Sequence, residues 1–204
     1  MRKIVNMLLL TMLMGLILVG CGSKEQTSNK STNEIETETL TNPKIEIEIE
    51  NYGIITLELD ANAAPITVKN FLKLVNENFY DGLTFHRIIN GFMMQGGDPT
   101  GTGMGGSAET INGEFTSNGV NNDLSHTKGA ISMARSLEPD SASSQFFIVH
   151  EDSKFLDGDY AAFGYVIDGI ALVDKICKEA IAVDGNGTIE PANQPIIKSI
   201  RVLN

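Results

Sequence analysis

The sequence predicts a mainly β domain, a barrel or sandwich with helices at its ends. Isoleucines alternate with glutamates from Ile45 onward, and short apolar runs separated by turn residues recur between Thr84 and Phe163. Two further stretches carry a helical stripe: Val68–Val75, and a segment beginning at Ile170.

Ile45, Ile47 and Ile49 alternate with Glu46, Glu48 and Glu50, a period of two with one wet face. Asn51-Tyr52-Gly53 signals a turn, and Ile55, Leu57 and Leu59 resume the alternation, so a β-hairpin opens the domain. Pro65 leads into Val68, Phe71, Leu72 and Val75, spaced i, i+3, i+4, i+7 as on one helix face. Phe85–Ile89, Ala130–Ala134, Gln145–Val149 and Ala161–Val166 then read as strands. A second helix is expected from Ile170 to about Lys178. The tail Pro195–Leu203 returns to strand character, with Ile197, Ile200 and Val202 apolar. No internal repeat is found.

Glycines crowd the segment from Asp81 to Gly119, which implies tight turns and close backbone approach. Gly101-Thr102-Gly103-Met104-Gly105-Gly106 fits the spacing GxGxxG. A dinucleotide site would need a helix N-terminus after it, and no helical stripe follows. Asp184-Gly185-Asn186-Gly187-Thr188 is similar to the start of a calcium loop, but Ile189 and Pro195 stand where a glycine and a glutamate are required. Both segments are read as loops.

At 204 residues and 42% hydrophobic, the chain fits one globular domain plus extensions. Lys+Arg 15 against Asp+Glu 26 leaves a net charge of −11, which repels polyphosphate and argues against nucleic-acid binding. Two cysteines allow at most one disulfide, and no CxxC or Cys/His cluster is present to hold zinc. No cofactor or metal is expected.

Arg2 and Lys3 precede Ile4–Val19, an apolar run that would span roughly 24 Å as a helix, short of a ~30 Å hydrocarbon layer. This is the pattern of a signal peptide over residues 1–20. Its ending, Leu18-Val19-Gly20-Cys21, resembles the lipobox of bacterial lipoproteins, which implies lipidation of Cys21 and anchoring on the outer side of the cytoplasmic membrane. Residues 21–43 then form a flexible polar tether, about 25 Å end to end as a random coil. With Cys21 acylated, Cys177 is left as a buried, inert thiol. The domain proper is expected over residues 44–204.

Strand alternation through Thr84–Ile89 would put Phe85, Arg87 and Ile89 on one face and Thr84, His86 and Ile88 on the other. An arginine on an apolar face must either reach water or serve a ligand. The run FHRIINGFMMQGGD (85–98), followed by Ser132-Met133-Ala134-Arg135, Ser144-Gln145-Phe146-Phe147-Ile148 and Phe155-Leu156-Asp157-Gly158, resembles the cyclophilin family of peptidyl-prolyl cis–trans isomerases.

The resemblance covers Lys44 to Asn204 and implies a closed eight-stranded antiparallel β-barrel capped by two helices. It implies Arg87 as the catalytic residue, and Phe92, Met93, Gln95, Ala134, Gln145, Phe147 and Leu156 as substrate-binding residues. Arg135 stands where asparagine is usual in the family, Phe155 where tryptophan is frequent, and Tyr160 where many members have histidine. All three are included in the expected substrate site. The phenylalanine removes an N–H donor, so cyclosporin is expected to bind weakly. The implied partners are proline-containing peptides and unfolded exported proteins, met by a monomer.

His86 alternates away from Arg87 and is read as a packed structural histidine. His126 and His150 show no local nucleophile motif, and Ser143-Ser144 lacks the Gly-x-Ser-x-Gly elbow, so hydrolase chemistry is not expected. A binding module for proline segments, without turnover, is the competing reading.

Overall fold

The opening alternation folds into β1 (Lys44–Ile49) and β2 (Gly53–Leu59), paired antiparallel with Ile47 opposite Ile55. Ile45, Ile47, Ile49, Ile55, Leu57 and Leu59 are all buried while the glutamates face outward. The computed structural model describes residues 42–203. The signal peptide, Cys21 and nearly all of the tether lie outside the described residues. No helix among the described residues is long and apolar enough to cross a membrane.

Among the described residues, eight strands form one antiparallel sheet: β1, β2, β3 (Thr84–Ile89), β4 (Met93–Asp98), β5 (Ala130–Met133), β6 (Phe146–Val149), β7 (Ala162–Asp168) and β8 (Ile197–Leu203), in the order β3-β4-β6-β5-β7-β2-β1-β8. The helices are α1 (Pro65–Asn76) and α2 (Ile170–Glu179). Both fall where the stripes predict them. α1 has no cap of its own. Its first free N–H groups, on Ile66 and Thr67, donate instead to the buried Glu114 carboxylate at 2.9 and 2.7 Å.

The expected closure of the barrel is not found: the sheet is open. Its outermost strands, β3 and β8, meet through an isolated bridge, Thr84 to Ile196, and a few backbone bonds such as Phe85 N–H to the Pro195 carbonyl at 2.9 Å. Pro195 has no N–H to return to β3, so no ladder propagates there.

β4 was not among the expected strands. Its sequence, MMQGGD, shows no alternation, because both of its faces are covered. Met94 joins the main core with Ile88, Ile131 and Ile148, whereas Met93 belongs to a second apolar cluster with Phe147, Val149 and Leu156. Gly97 there has φ +85, and a Cβ on it would lie 2.5 Å from the Ser144 carbonyl oxygen.

The main core is built on aromatic rings. Phe71 of α1 stacks on Tyr80 at 5.0 Å and meets Phe146 edge-on at 5.5 Å. Cys177 of α2 is buried beside this core, and burial pushes its thiol up to about 12. The inert-thiol reading fits that environment.

Candidate active site

The second apolar cluster, on the sheet face away from the main core, floors a groove of about 560 Å³. The register explains which side chains reach it. Arg87 on β3 faces Gln95 on β4, Gln95 faces Phe147 on β6, and Phe147 faces Ser132 on β5. One row across four strands therefore carries a cation, an amide, an aromatic ring and a hydroxyl.

The alternation expected for β3 fails at His86. The register with β4 shifts between Phe85 and Arg87, a β-bulge that puts two successive residues on the groove side. Phe85 and Ile88 both enter the main core, while His86 and Arg87 both line the groove. His86 is thus Arg87's neighbour and does not point away from it. Its ring is buried and its two nitrogens have no protein partner among the described residues. Burial lowers its pKa, with the nearby Arg87 charge adding to the effect and Asp98 opposing it.

Arg87 is held from two sides. Its Nε donates to the Asn186 carbonyl at 2.8 Å and its Nη1 to Gln95 Oε1 at 3.1 Å. Gln95 Nε2 donates in turn to Gln145 Oε1 at 2.9 Å, and Gln145 Nε2 to the Gly105 carbonyl at 2.6 Å. Each amide has one consistent orientation in this chain, so the guanidinium plane is fixed over the groove. Burial lowers the Arg87 pKa, but a guanidinium remains charged throughout the working range.

Of the sequence-expected residues, Arg87, Phe92, Met93, Gln95, Ala134, Arg135, Phe147, Phe155, Leu156 and Tyr160 all line the groove. Gln145 lies in the adjoining recess beside Gln95 and Arg135. Phe147 is buried, as is Leu156, whereas Phe155 is 72% exposed and leans on Phe92 with ring centroids 5.5 Å apart. Arg135 stacks over the rings of Phe115 and Tyr160 at 5.0 and 4.8 Å and donates to the Asp159 carbonyl at 2.8 Å. It braces the rim of the groove.

A family model for cyclophilin type peptidyl-prolyl cis-trans isomerases matches residues 44–202. The chain belongs to the cyclophilin family. Its activity is peptidyl-prolyl cis–trans isomerisation. This cyclophilin is 40% identical over 174 residues to a peptidyl-prolyl cis-trans isomerase of Acinetobacter baylyi, covering 82% of this chain and 89% of that one. It is 50% identical over 122 residues to peptidyl-prolyl cis-trans isomerase B of Bacillus subtilis, covering 60% of this chain and 82% of that one. A crystal structure of a Cryptosporidium parvum cyclophilin superposes with a TM-score of 0.71 at 32% identity, covering 80% of this chain and 98% of that one. A second structure of that protein, obtained in the presence of the dipeptide Ala-Pro, gives 0.70 at 32% identity, covering 79% of this chain and 99% of that one.

Sequence reasoning missed part of this cyclophilin's groove. Thr102, Gly103 and Met104 form one wall, and Asn186 and Thr188 another, nearly a hundred residues from Arg87. The 98–105 wall is shaped by Asp98, whose buried carboxylate accepts from Thr100 N–H at 2.8 Å and Gly103 N–H at 2.6 Å. Burial acts to raise its pKa, but these and further bonds outweigh that and bring it down to about 2.

A second surprise lies under the floor. His126 Nδ1 is 2.8 Å from Asp157 Oδ1 and its Nε2 is 2.9 Å from Ser132 Oγ, an order of partners that sequence reading did not find. The carboxylate only accepts, so Nδ1 carries the proton and Nε2 accepts from the serine. His126 and Ser132 are fully buried, and Phe147 stacks on the imidazole at 5.9 Å. The serine is sealed from any substrate carbonyl, so the arrangement supports the floor and is no hydrolase.

His150, Glu151 and Asp174 converge elsewhere as a candidate metal group. Gly91 N–H donates to His150 Nδ1 at 2.9 Å, so the neutral ring carries its proton on Nε2, facing Asp174 at 3.2 Å. Lys128 Nζ already lies 2.5 Å from that carboxylate. The Lys128 ammonium thus already stands beside the carboxylate, while His150 Nε2 and Asp174 Oδ1 make no well-aligned hydrogen bond.

Proposed function

We propose that this cyclophilin lowers the rotation barrier of X–Pro bonds with the Arg87 guanidinium, above a proline pocket formed by Phe92, Met93, Phe147 and Leu156. The supporting observation is the row Arg87–Gln95–Phe147, which places a fixed cation next to a buried aromatic floor. The Ala-Pro dipeptide of the Cryptosporidium parvum structure supports a proline-containing peptide as the occupant.

The amide barrier is ~18–20 kcal/mol, and uncatalysed exchange takes ~10–100 s. A turnover on the order of 10³ s⁻¹ requires about 7 kcal/mol off that barrier. Twisting the amide breaks its resonance and restores a lone pair to the proline nitrogen. The Arg87 Nε and Nη1 are committed to Asn186, Gln95 and a weak contact with Met93 Sδ, and the two N–H groups of Nη2 can donate to that lone pair. One preorganised donor of this kind contributes roughly 3–4 kcal/mol. Gripping the proline ring while Gln95 and the Ala134–Arg135 backbone hold the flanking peptide supplies the remainder, because the twisted geometry is bound better than either planar form.

The physiological role we infer is the folding of exported proteins by an enzyme anchored outside the cytoplasmic membrane through Cys21. Its basis is the charged start, the apolar run and the cysteine that closes it. Mass spectrometry of the membrane-extracted N-terminus tests this: a lipidated Cys21 is expected, and an intact Met1 contradicts it. A protease-coupled assay with a proline tetrapeptide tests the enzymatic reading, and a protein that binds the peptide without accelerating its isomerisation would refute it. With Phe155 offering no indole N–H, cyclosporin is expected to inhibit weakly, and low-nanomolar inhibition would contradict that.

A further inference from the structure

The 184–188 turn, which the sequence leaves as an unexplained loop, supplies the carbonyl that grips Arg87 Nε. It docks against β3 on both sides of that arginine. Ile88 N–H donates to the Gly187 carbonyl at 2.8 Å and Ile189 N–H to the His86 carbonyl at 3.0 Å. Gly187 has φ +86, and a Cβ there would come within 2.4 Å of the Ile89 side chain, so the approach is close. Asn186 precedes both of these anchors, so the direction of its carbonyl is set within the turn itself.

Asp184 sets it. Its Oδ1 accepts from Asn186 N–H at 2.9 Å and Thr188 N–H at 3.0 Å, and its Oδ2 from Thr188 Oγ at 2.8 Å. Both oxygens are therefore turned onto the turn's own donors, which lowers the carboxyl pKa. The backbone N–H of Asn186 and its carbonyl flank one residue, so fixing the first restricts the second. We propose that Asp184 is a positioning residue for Arg87: its carboxylate folds the 184–188 turn so that the Asn186 carbonyl meets the guanidinium Nε and aims it over the groove. The inference rests on Arg87 acting on the imide. It differs from a calcium role for the same motif, because both carboxylate oxygens are already engaged by donors of the turn.

The test compares full-length wild type, Asp184→Ala and Asp184→Asn by isomerase kinetics and by NMR of the Arg87 Nε–H. Asp184→Ala is expected to lower kcat by about threefold to tenfold, the loss of one orienting bond, with KM within about twofold of wild type. Its Nε–H should exchange faster with solvent. Asp184→Asn, whose amide oxygen still accepts both backbone N–H groups, should restore kcat and the slow exchange. Wild-type kcat and an unchanged Nε–H in Asp184→Ala would overturn the proposal. So would Asp184→Asn failing as badly as Asp184→Ala, since that would assign the effect to charge and not to the turn. If Arg87→Ala itself kept full turnover, the catalytic reading would fail, while the exchange measurement would still decide whether Asp184 holds the arginine.

Discussion

Arg87 and Gln95 face each other across neighbouring strands, and the Nη1 of the first donates to the Oε1 of the second at 3.1 Å. That bond links the cation to a chain of amides running through Gln145 to the carbonyls of Gly103 and Gly105. The catalytic strand and the glycine-rich wall are therefore one hydrogen-bonded unit.

Cutting that unit at its centre should cost turnover more than stability. Gln95→Ala leaves Arg87 with the Asn186 carbonyl and a weak contact to Met93 Sδ at 4.0 Å and is expected to lower kcat/KM by about tenfold, the equivalent of one or two hydrogen bonds. Steady-state kinetics with a chromogenic proline peptide check it, and an unaltered kcat/KM would remove Gln95 from the orienting chain.

Phe147 serves two ends at once. It is buried at 5% exposure, packs with Met93, Val149 and Leu156, and stacks on His126. Phe147→Ala should lower unfolding stability by roughly 3–5 kcal/mol and raise KM for proline peptides. Denaturant melts and a KM series measure both, and a variant with wild-type KM would place the proline pocket elsewhere.

Asp98 makes the groove wall sensitive to acid. Its carboxyl lies at about 2 in the folded protein against about 3.9 in an unfolded chain. A depressed folded pKa contributes stability that is fully present above about pH 4 and is lost as the pH falls towards 2. The contribution is about 2 kcal/mol. Urea melts from pH 6 to pH 2 should show the loss, and Asp98→Asn should flatten that part of the profile. An equally steep profile in Asp98→Asn would assign the acid sensitivity to other carboxylates.

Much of this was legible in the sequence, for identifiable reasons. The Ile45–Leu59 hairpin and both helices could be read because each has one wet face, so burial imposes a period on the residues. β4 could not, because both its faces are covered and its glycines leave no pattern. The groove residues Phe92, Met93 and Gln95 were recognisable as part of a family motif, but the bulge at His86 was not, since alternation assumes an unbroken ladder. Closure of the barrel was expected from the family resemblance and fails at Pro195, which lacks the N–H a ladder would use. Asn186 and the His126–Asp157 pair depend on contacts distant in sequence, where no spacing rule applies.

The central claim is that a fixed guanidinium stabilises the twisted imide. Turnover of Arg87→Ala in the protease-coupled assay, alongside a thermal melt of the same sample, tests it most directly. The account predicts a fall of about 10²–10³ in kcat in a protein that melts as wild type does. A folded Arg87→Ala variant turning over at the wild-type rate would contradict it.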